Sequence, residues 1–203
     1  MAVGERKTYH HGDLRLKLIE GAIALIQEGQ ISQLSLREVA RRIGVSHNAP
    51  YRHFPDKEAL LAAVAEQGFQ SLRAELEASL ENTSDNSSQR LAAIGIAYVH
   101  FALQHPAHYR VMFNTCNSHI QENTALFSAS KQAFEVLLQV IHSGQAKNSF
   151  RAGDTVKMAQ VAWSLVHGQA MLAIDGKLPV NEAFEEFLEF SSQMLIIGLG
   201  CEN

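Results

Sequence analysis

Residues 35–57 read SLREVARRIGVSHNAPYRHFPDK, and this stretch decides the predicted fold. Its first part has a helical pattern. Ser35 is a favourable N-cap, and Glu38 three residues later completes a capping box. The apolar positions recur at helical spacing, at Leu36, Val39, Ala40 and Ile43. Gly44 then ends the helix, because glycine readily takes the positive φ angle that a tight turn requires.

A second short helix is predicted after this turn, with Ser46 as its cap and Phe54 near its end. The small residues Ala40 and Gly44 would let the two helices cross closely. That geometry is typical of a helix-turn-helix, in which the second helix enters the major groove of DNA. The same spacing occurs in ordinary αα-hairpins, so spacing alone leaves both interpretations open.

The composition of the second helix favours DNA binding, because most of its side chains hydrogen-bond bases or phosphates. Asn48 can read adenine, Arg52 can read guanine, and the Tyr51 hydroxyl suits a phosphate oxygen. Few apolar residues remain to pack inward. Pro50 falls in or just after the first turn, where it removes at most one backbone hydrogen bond.

Helical periodicity continues on both sides of this stretch. Further helices are predicted at about 13–28, 57–82, 88–104, 107–114, 122–143, 155–174 and 181–198. No alternating strand pattern of useful length occurs. We therefore predict an all-α fold of about nine helices, divided into a helix-turn-helix domain over residues 1–56 and a helical domain over residues 57–203.

The composition is that of an ordinary soluble globular protein, with 203 residues, 46% apolar and 19% charged residues and a mean hydropathy of −0.07. Two cysteines, Cys116 and Cys201, are too few for a disulfide framework. No apolar run approaches the roughly 18 residues of a membrane span, and the N-terminus lacks a signal-peptide pattern. We expect a cytoplasmic protein that does not enter the membrane.

Charge is distributed unevenly along the chain. Residues 1–57 hold nine Lys and Arg against six Asp and Glu, whereas residues 58–203 hold eight against fifteen. The net charge of −4 therefore conceals a cationic N-terminal part. Such asymmetry suggests that this part faces a polyanion and that the rest of the chain has another role.

The stretch from Ser35 to Lys57, continued by Glu-Ala-Leu-Leu, closely resembles the N-terminal domain of the TetR/AcrR family of bacterial transcriptional regulators. The segments YHHGDLR at 9–15 and WSLVHG at 163–168 look like a subfamily whose ligand domain carries a Trp-x-x-x-His-Gly signature. The resemblance implies an all-helical homodimer that binds a palindromic operator on double-stranded DNA. Such proteins usually repress, and they release DNA when a small molecule enters the C-terminal domain.

The resemblance also implies roles for individual residues. The positions that match phosphate contacts are Tyr51, His53 and Lys57, with Ser35 and Arg37 at a second edge. The base-facing positions are His47, Asn48, Ala49 and Arg52, preceded by Ser46, and Ala49 is limited to apolar contact such as a thymine methyl group. Core packing is the expected role of Phe54 and the alternative for Tyr51, and Arg41 and Arg42 are expected on a solvated face.

Aromatic and polar-tipped residues after position 57 suggest a mostly apolar small-molecule site with a few polar groups. The candidate ligand-binding residues are Tyr98, Phe101, His105, Tyr109, Met112, Phe113, Trp163, His167 and Met171. The alternative for each is core packing, and for His167 a hydrogen bond to a backbone carbonyl group. We expect an effector that is largely apolar.

Metal binding and catalysis are the alternatives to this interpretation. Five possible ligands fall within twenty residues, at His100, His105, His108, Cys116 and His119, but their spacing fits no familiar zinc site. Cys116 and His119 lack an oxyanion-hole loop or an orienting acid. We therefore expect no metal, no cofactor and no enzymatic activity.

The last two predicted helices are apolar around much of their circumference, which indicates a dimer interface. Its candidate residues are Trp163, Val166, Ala170, Leu172, Phe184, Phe187, Leu188, Met194, Leu195 and Ile197.

The long helix from Lys57 is expected to couple the two domains. The predicted function is a dimeric repressor released by a small molecule. An activator of the same fold, or a helical small-molecule binding protein without sequence-specific DNA binding, is the alternative.

Overall fold

A computed structural model of the chain describes residues 11–81, 83–114 and 124–200, and it confirms the all-α prediction. Within these residues the only β-type pairing is one isolated bridge between Phe150 and Gly200. The α-helices of this part are α1 (His11–Gln27), α2 (Leu36–Arg42), α3 (Lys57–Glu81), α4 (Ser87–Gln104), α5 (Pro106–Asn114), α6 (Thr124–Ala146), α7 (Thr155–Ile174) and α8 (Phe184–Leu199). Two short 3-10 helices span Ile31–Gln33 and Pro50–Arg52.

Side-chain caps fix the two helix starts that matter most for the N-terminal domain. The Ser35 hydroxyl accepts a hydrogen bond from the Glu38 N–H at 3.1 Å, and the Asp56 carboxylate accepts one from the Ala59 N–H at 2.7 Å. The predicted capping box is only half formed. The Glu38 carboxylate instead accepts from Arg41, whose Nε lies 3.0 Å away, because the guanidinium is one helical turn further along the same face.

The predicted helix over residues 46–54, hereafter the recognition segment, is not a regular α-helix. It is a turn followed by the Pro50–Arg52 3-10 helix. Pro50 has no N–H group, so it cannot donate to the Ser46 carbonyl four residues back. The Ala49 N–H donates to the Ser46 carbonyl at 2.9 Å instead, and the His53 N–H donates to the Pro50 carbonyl at 2.9 Å. Both hydrogen bonds join residues three apart, as in a 3-10 helix.

The helices α1 and α2 and the recognition segment share one apolar core. Leu18 and Ala22 of α1 and Val39 of α2 are fully buried in it. Phe54 is only 3% exposed and has the Arg15 guanidinium 5.5 Å from its ring centre. The recognition segment is therefore anchored at its end by one buried aromatic side chain, as predicted for Phe54.

The remaining helices form the C-terminal body, with α3 and α4 at its centre. Helix α3 packs against α1, α4, α5 and α6, and α4 also packs against α6, α7 and α8. Because α3 contacts both α1 and the C-terminal helices, a single 25-residue helix joins the two parts of the molecule. No helix among the described residues is long and apolar enough to cross a membrane.

Helices α7 and α8 leave an apolar face uncovered, hereafter the α7/α8 face. It consists of Val161, Leu172, Phe187, Phe190, Met194 and Ile197, and Ile197 is 72% exposed.

The predicted interface needs correction at Ala170, Phe184 and Leu188. These three side chains are buried within the chain, where Phe184 and Leu188 pack with Val99 of α4, so they are not free to contact a partner.

The turn between α2 and the recognition segment depends on the backbone conformation of Gly44, whose φ angle is +72°. A Cβ atom placed there meets no atom within 4 Å, so a substitution causes no steric clash. Its only cost is the strain of a positive φ angle. We expect Gly44→Ala to lower the free energy of unfolding by about 1–2 kcal/mol. Gly44→Asn should cost less, because asparagine tolerates the left-handed region.

Chemical denaturation of both variants against the parent protein measures this difference. Equal losses for the alanine and asparagine variants would contradict a conformational cause.

Candidate functional site

The recognition segment presents its polar side chains outward. Pro50 and Phe54 are buried, and the residues that the sequence assigned to base contacts lie on the exposed side: Ser46, His47, Asn48 and Arg52 are exposed and Ala49 is half-buried. Tyr51 is 48% exposed, which excludes core packing as its main role in this chain. The segment thus has one apolar side that holds it and one polar side that is free to contact a ligand.

The predicted phosphate-binding residues lie at both ends of the recognition segment. Ser35 and Arg37 are exposed at the start of α2, and Lys57 is half-buried at the start of α3. His53 is half-buried, and its Nε2 is buried with no hydrogen-bond partner among the described residues. A contact between His53 and a phosphate would therefore use Nδ1.

The arginines of this surface differ in whether an acid already holds them. Arg42 donates to the Glu28 carboxylate, with one contact at 2.8 Å, and Arg41 is paired with Glu38. These hydrogen bonds lower the pKa of both carboxyl groups. Arg37 and Arg52 form no ion pair with any described residue, so their guanidinium groups remain available to an anion.

A cavity of about 560 Å³ lies between helices of the C-terminal body. Its volume falls within the range of about 300–1,000 Å³ that is usual for small-molecule sites. The wall is lined by Phe69, Leu72, Leu76, Leu91, Ile94, Gly95, Tyr98, Met112, Phe113, Phe127, Ser130, Lys131, Ala133, Phe134, Leu137, Gln160, Ala162, Trp163, Leu165, Val166, Ser192 and Leu195. It is mostly apolar, with no acidic side chain among the described residues that form it.

Four of the nine predicted ligand-binding residues line this cavity: Tyr98, Met112, Phe113 and Trp163. The other five lie outside the lining. Tyr109 and His167 form a polar cluster with Tyr98, Phe101 is buried in the core with its ring 5.0 Å from that of His105, and Met171 packs against the core. Their role in ligand binding stays a prediction.

The polar cluster joins four side chains at the cavity wall. The Trp163 indole N–H donates to the Tyr98 hydroxyl at 3.0 Å, and the Tyr98 and Tyr109 hydroxyls lie 2.9 Å apart. His167 Nδ1 lies 2.6 Å from the Tyr109 hydroxyl and 3.0 Å from that of Tyr98. Burial raises the pKa of Tyr98 to about 12, raises the pKa of Tyr109 further, and lowers the pKa of His167. The lowered pKa of His167 favours the neutral imidazole, whose Nδ1 can accept a hydrogen bond from either hydroxyl.

The histidines considered as metal ligands have other partners. His100 Nε2 lies 2.9 Å from the Glu185 carboxylate, and His108 Nε2–H donates to the Val64 carbonyl at 2.6 Å. Cys116 and His119 lie outside the described residues. Elsewhere in the described ranges, no group of three or more metal-ligating side chains is suitably placed.

Two sequence models of protein families match the chain. Residues 18–64 match the bacterial regulatory proteins of the tetR family, and residues 91–195 match the tetracyclin repressor-like C-terminal domain. The second match alone spans just over half of the chain. The chain belongs to the TetR family. It is therefore a DNA-binding transcriptional regulator and not an enzyme, which decides against the alternative of a binding protein without a DNA-binding role.

Solved structures agree with this assignment. A protein of unknown function from Rhodococcus sp. RHA1 is 34% identical, with a TM-score of 0.85, and the alignment covers 97% of this chain and 100% of that one. A tetR-family regulatory protein from Rhodococcus RHA1 is 20% identical with a TM-score of 0.68, and the alignment covers 93% of this chain and 98% of that one. The TetR family regulator PfmR from Thermus thermophilus is 19% identical with a TM-score of 0.67, and the alignment covers 92% of this chain and 100% of that one. At these lower identities the likeness shows the fold. No curated protein sequence matches the chain.

Several cavity residues were missed by the sequence interpretation. They come mainly from α3 and α6, and the α3 group is Phe69, Leu72 and Leu76. Their spacing of three and four residues indicates that they share one apolar helix face. The sequence pattern of such a face is the same whether the face packs in a core or lines a cavity. The missed residues from α6 include Phe127 and Phe134.

The buried His108 generates a prediction about pH. Burial lowers its pKa below the usual 6.5, with the neighbouring His105 adding to this, whereas the unfolded chain keeps the ordinary value. Below about pH 6.5 the unfolded state binds more protons than the folded state, so stability should fall as the pH decreases. We expect a lower thermal midpoint at pH 5.5 than at pH 7.5.

His108→Gln removes the titrating group and keeps an N–H donor for the Val64 carbonyl, so it should flatten this dependence. His142→Gln, a change of an exposed histidine on α6, serves as the control and should leave the dependence as in the parent. An unchanged pH profile in the His108 variant would show that other groups cause it.

Proposed function

We propose that the chain represses transcription as a homodimer in the cytoplasm, that it binds a palindromic operator through the recognition segment, and that a small molecule in the cavity releases it. The observation that supports this most is the exposed polar side of the recognition segment, held from beneath by Pro50 and Phe54. An activator would bind DNA through the same surface, and a promoter assay distinguishes the two modes.

The proposed contacts with DNA fall into two classes. His47, Asn48, Ala49 and Arg52 would face base edges, where Asn48 and Arg52 can each form paired hydrogen bonds. The phosphate contacts would come from Ser35, Arg37, Ser46, Tyr51, His53 and Lys57. Most of these residues precede or follow the base-reading side chains in the chain and Tyr51 lies among them, so phosphate contacts would hold the segment in the groove.

Dimerisation is proposed to use the α7/α8 face. Phe190 and Ile197 are 60% and 72% exposed. Exposed apolar side chains that form a patch on a folded chain commonly mark an interaction site. A two-fold dimer would place two recognition segments about one helical turn of DNA apart, or a multiple of it, which fits a palindromic operator.

We also propose a domain boundary between residues 56 and 57 and a coupling route through the helices next to it. Helix α3 starts at this boundary and continues into the cavity wall. Helix α5 contributes Met112 and Phe113 to the cavity and also packs against α1. An effector that favours a different position of α5 would thereby favour a different position of the DNA-binding domain. DNA binding would then weaken to the extent that the effector binds this conformation more tightly than the DNA-binding one.

Fluorescence anisotropy with DNA from upstream of the protein's own gene tests the DNA contacts, with a scrambled duplex for comparison and a salt series for each. Asn48→Ala and Arg52→Ala should each reduce the preference for the native duplex by about 1–3 kcal/mol. Lys57→Ala should weaken binding to both duplexes alike and make the salt slope shallower by about 0.9.

Lys157→Ala is the matched control, because this exposed lysine lies on α7 in the C-terminal body. It should change neither affinity nor slope. Unaltered sequence preference in both the Asn48 and Arg52 variants would refute the base-contact assignment, and no salt-sensitive DNA binding by the parent would refute the proposal as a whole.

The interface is tested by placing a charge on it. Phe190→Glu and Ile197→Glu should each convert the dimer to a monomer in sedimentation velocity, because a buried carboxylate without a partner is strongly unfavourable. Val180→Glu is the control: this valine is 56% exposed but lies in the loop between α7 and α8. Dimers that persist in both interface variants would place the interface elsewhere.

A further inference from the structure

Three polar groups of the cavity wall have already donated their hydrogens. The Ser192 hydroxyl donates to the Leu188 carbonyl at 2.8 Å, and the Ser130 hydroxyl donates to the Phe127 carbonyl at 2.9 Å. The Trp163 N–H is donated to Tyr98. A ligand that meets these three groups finds no free N–H or O–H to bind an anionic or carbonyl oxygen.

The Tyr98 hydroxyl is occupied in the same way. Its neighbours Tyr109 and His167 form a triangle with it, in which every side is 3.0 Å or shorter. With Nδ1 as the acceptor, the hydrogens within this triangle are those of the two hydroxyls, and each of them can be donated to another member of it. The buried end of the cavity is therefore suited to hydrocarbon and has no free donor among the described residues.

The exposed part of the cavity lining has free donors. Here lie Phe127, Lys131 and Gln160, hereafter the cavity rim. No described carboxylate lies within 4 Å of the Lys131 ammonium group, including that of Glu135 one turn along α6. The Gln160 side-chain amide likewise has no partner among the described residues. A cation and an amide donor thus stand at the entrance of an apolar cavity.

We propose that the effector is a single-chain amphiphile with a carboxylate head. Its hydrocarbon tail would fill the buried end, between Leu72 of α3 and Ile94 of α4, and its carboxylate would bind Lys131 at the rim, with Gln160 as a second donor. The binding claim stands on the cavity alone, and only its role as an effector rests on the proposed function.

The charge at the rim gives this proposal its specificity. A carboxylate gains a charge-assisted hydrogen bond from the Lys131 ammonium group, whereas an alcohol gains a weaker neutral bond and an amine is repelled. Because Lys131 is exposed, the gain is limited by water, and a preference of about three- to tenfold for the acid over the alcohol is expected.

Binding of decanoate, decan-1-ol and decylamine, each below its aggregation concentration, tests the proposal. The chain has a single tryptophan, Trp163, and this residue lines the cavity, so its fluorescence reports occupancy directly. We expect decanoate to bind most tightly and decylamine most weakly. Equal binding of the three probes, tighter binding of the amine, or no binding of any probe would each overturn the proposal.

A variant pair identifies the rim as the cause. Lys131→Met should reduce the affinity for decanoate to that for decan-1-ol and leave the alcohol affinity unchanged, whereas Lys177→Met, in the loop after α7, should preserve the preference. A Lys131 variant that still prefers decanoate by the parental factor would overturn the proposed head-group site.

Operator binding is measured separately without any amphiphile, so the two proposals fail independently. Decanoate that binds without affecting the DNA complex would leave the head-group site intact and refute release by this ligand class.

Discussion

The close approach of α5 to α3 at Gly68 is the constraint on which the rest of the molecule depends. A Cβ atom at this position would lie 2.5 Å from the Met112 sulfur and 2.9 Å from His108 Nε2. The absence of a side chain at Gly68 leaves room for the Met112 and His108 side chains of α5, and His108 donates its hydrogen to the Val64 carbonyl. The same approach presses Tyr109 and Met112 into full burial. Gly68 thus lies beside both a polar contact between the helices and one wall of the cavity.

This constraint connects the DNA-binding domain to the cavity through short physical steps. Helix α3 begins just after Phe54, which holds the recognition segment, and its middle turns carry Phe69 and Leu72 of the cavity wall. Helix α5 is fastened to α3 at Val64, between these two regions. Packed interiors resist compression, so a change in cavity shape moves neighbouring helices rather than being absorbed locally.

Much of this organisation could be predicted from the sequence, because helical periodicity and caps act locally. The N-cap at Ser35, the turn at Gly44 and the burial of Phe54 depend on neighbouring residues and were predicted correctly. The recognition segment was predicted as a helix, but the missing N–H of Pro50 favoured a 3-10 turn. The residues that line the cavity were harder to predict, because periodicity identifies the apolar face of a helix such as α7 without showing which neighbouring helix it meets. Tyr109 packs behind the cavity wall, whereas Trp163 lines it.

The buried cluster of Tyr98, Tyr109 and His167 limits how an effector could act. Its two hydroxyl hydrogens are used within the cluster, and leaving either hydroxyl unpaired in a low-dielectric site costs about 1–3 kcal/mol. A ligand that offers only hydrocarbon at this end cannot replace them, so the cluster would remain intact when the cavity is filled. The response would then have to pass through packing against the walls of the cavity. Filling a cavity between rigid helices changes their separation, and two of its walls, α3 and α5, also contact α1. Tail volume, more than head-group chemistry, would therefore set how far the DNA-binding domain moves, while the charge at the rim would set which molecules enter.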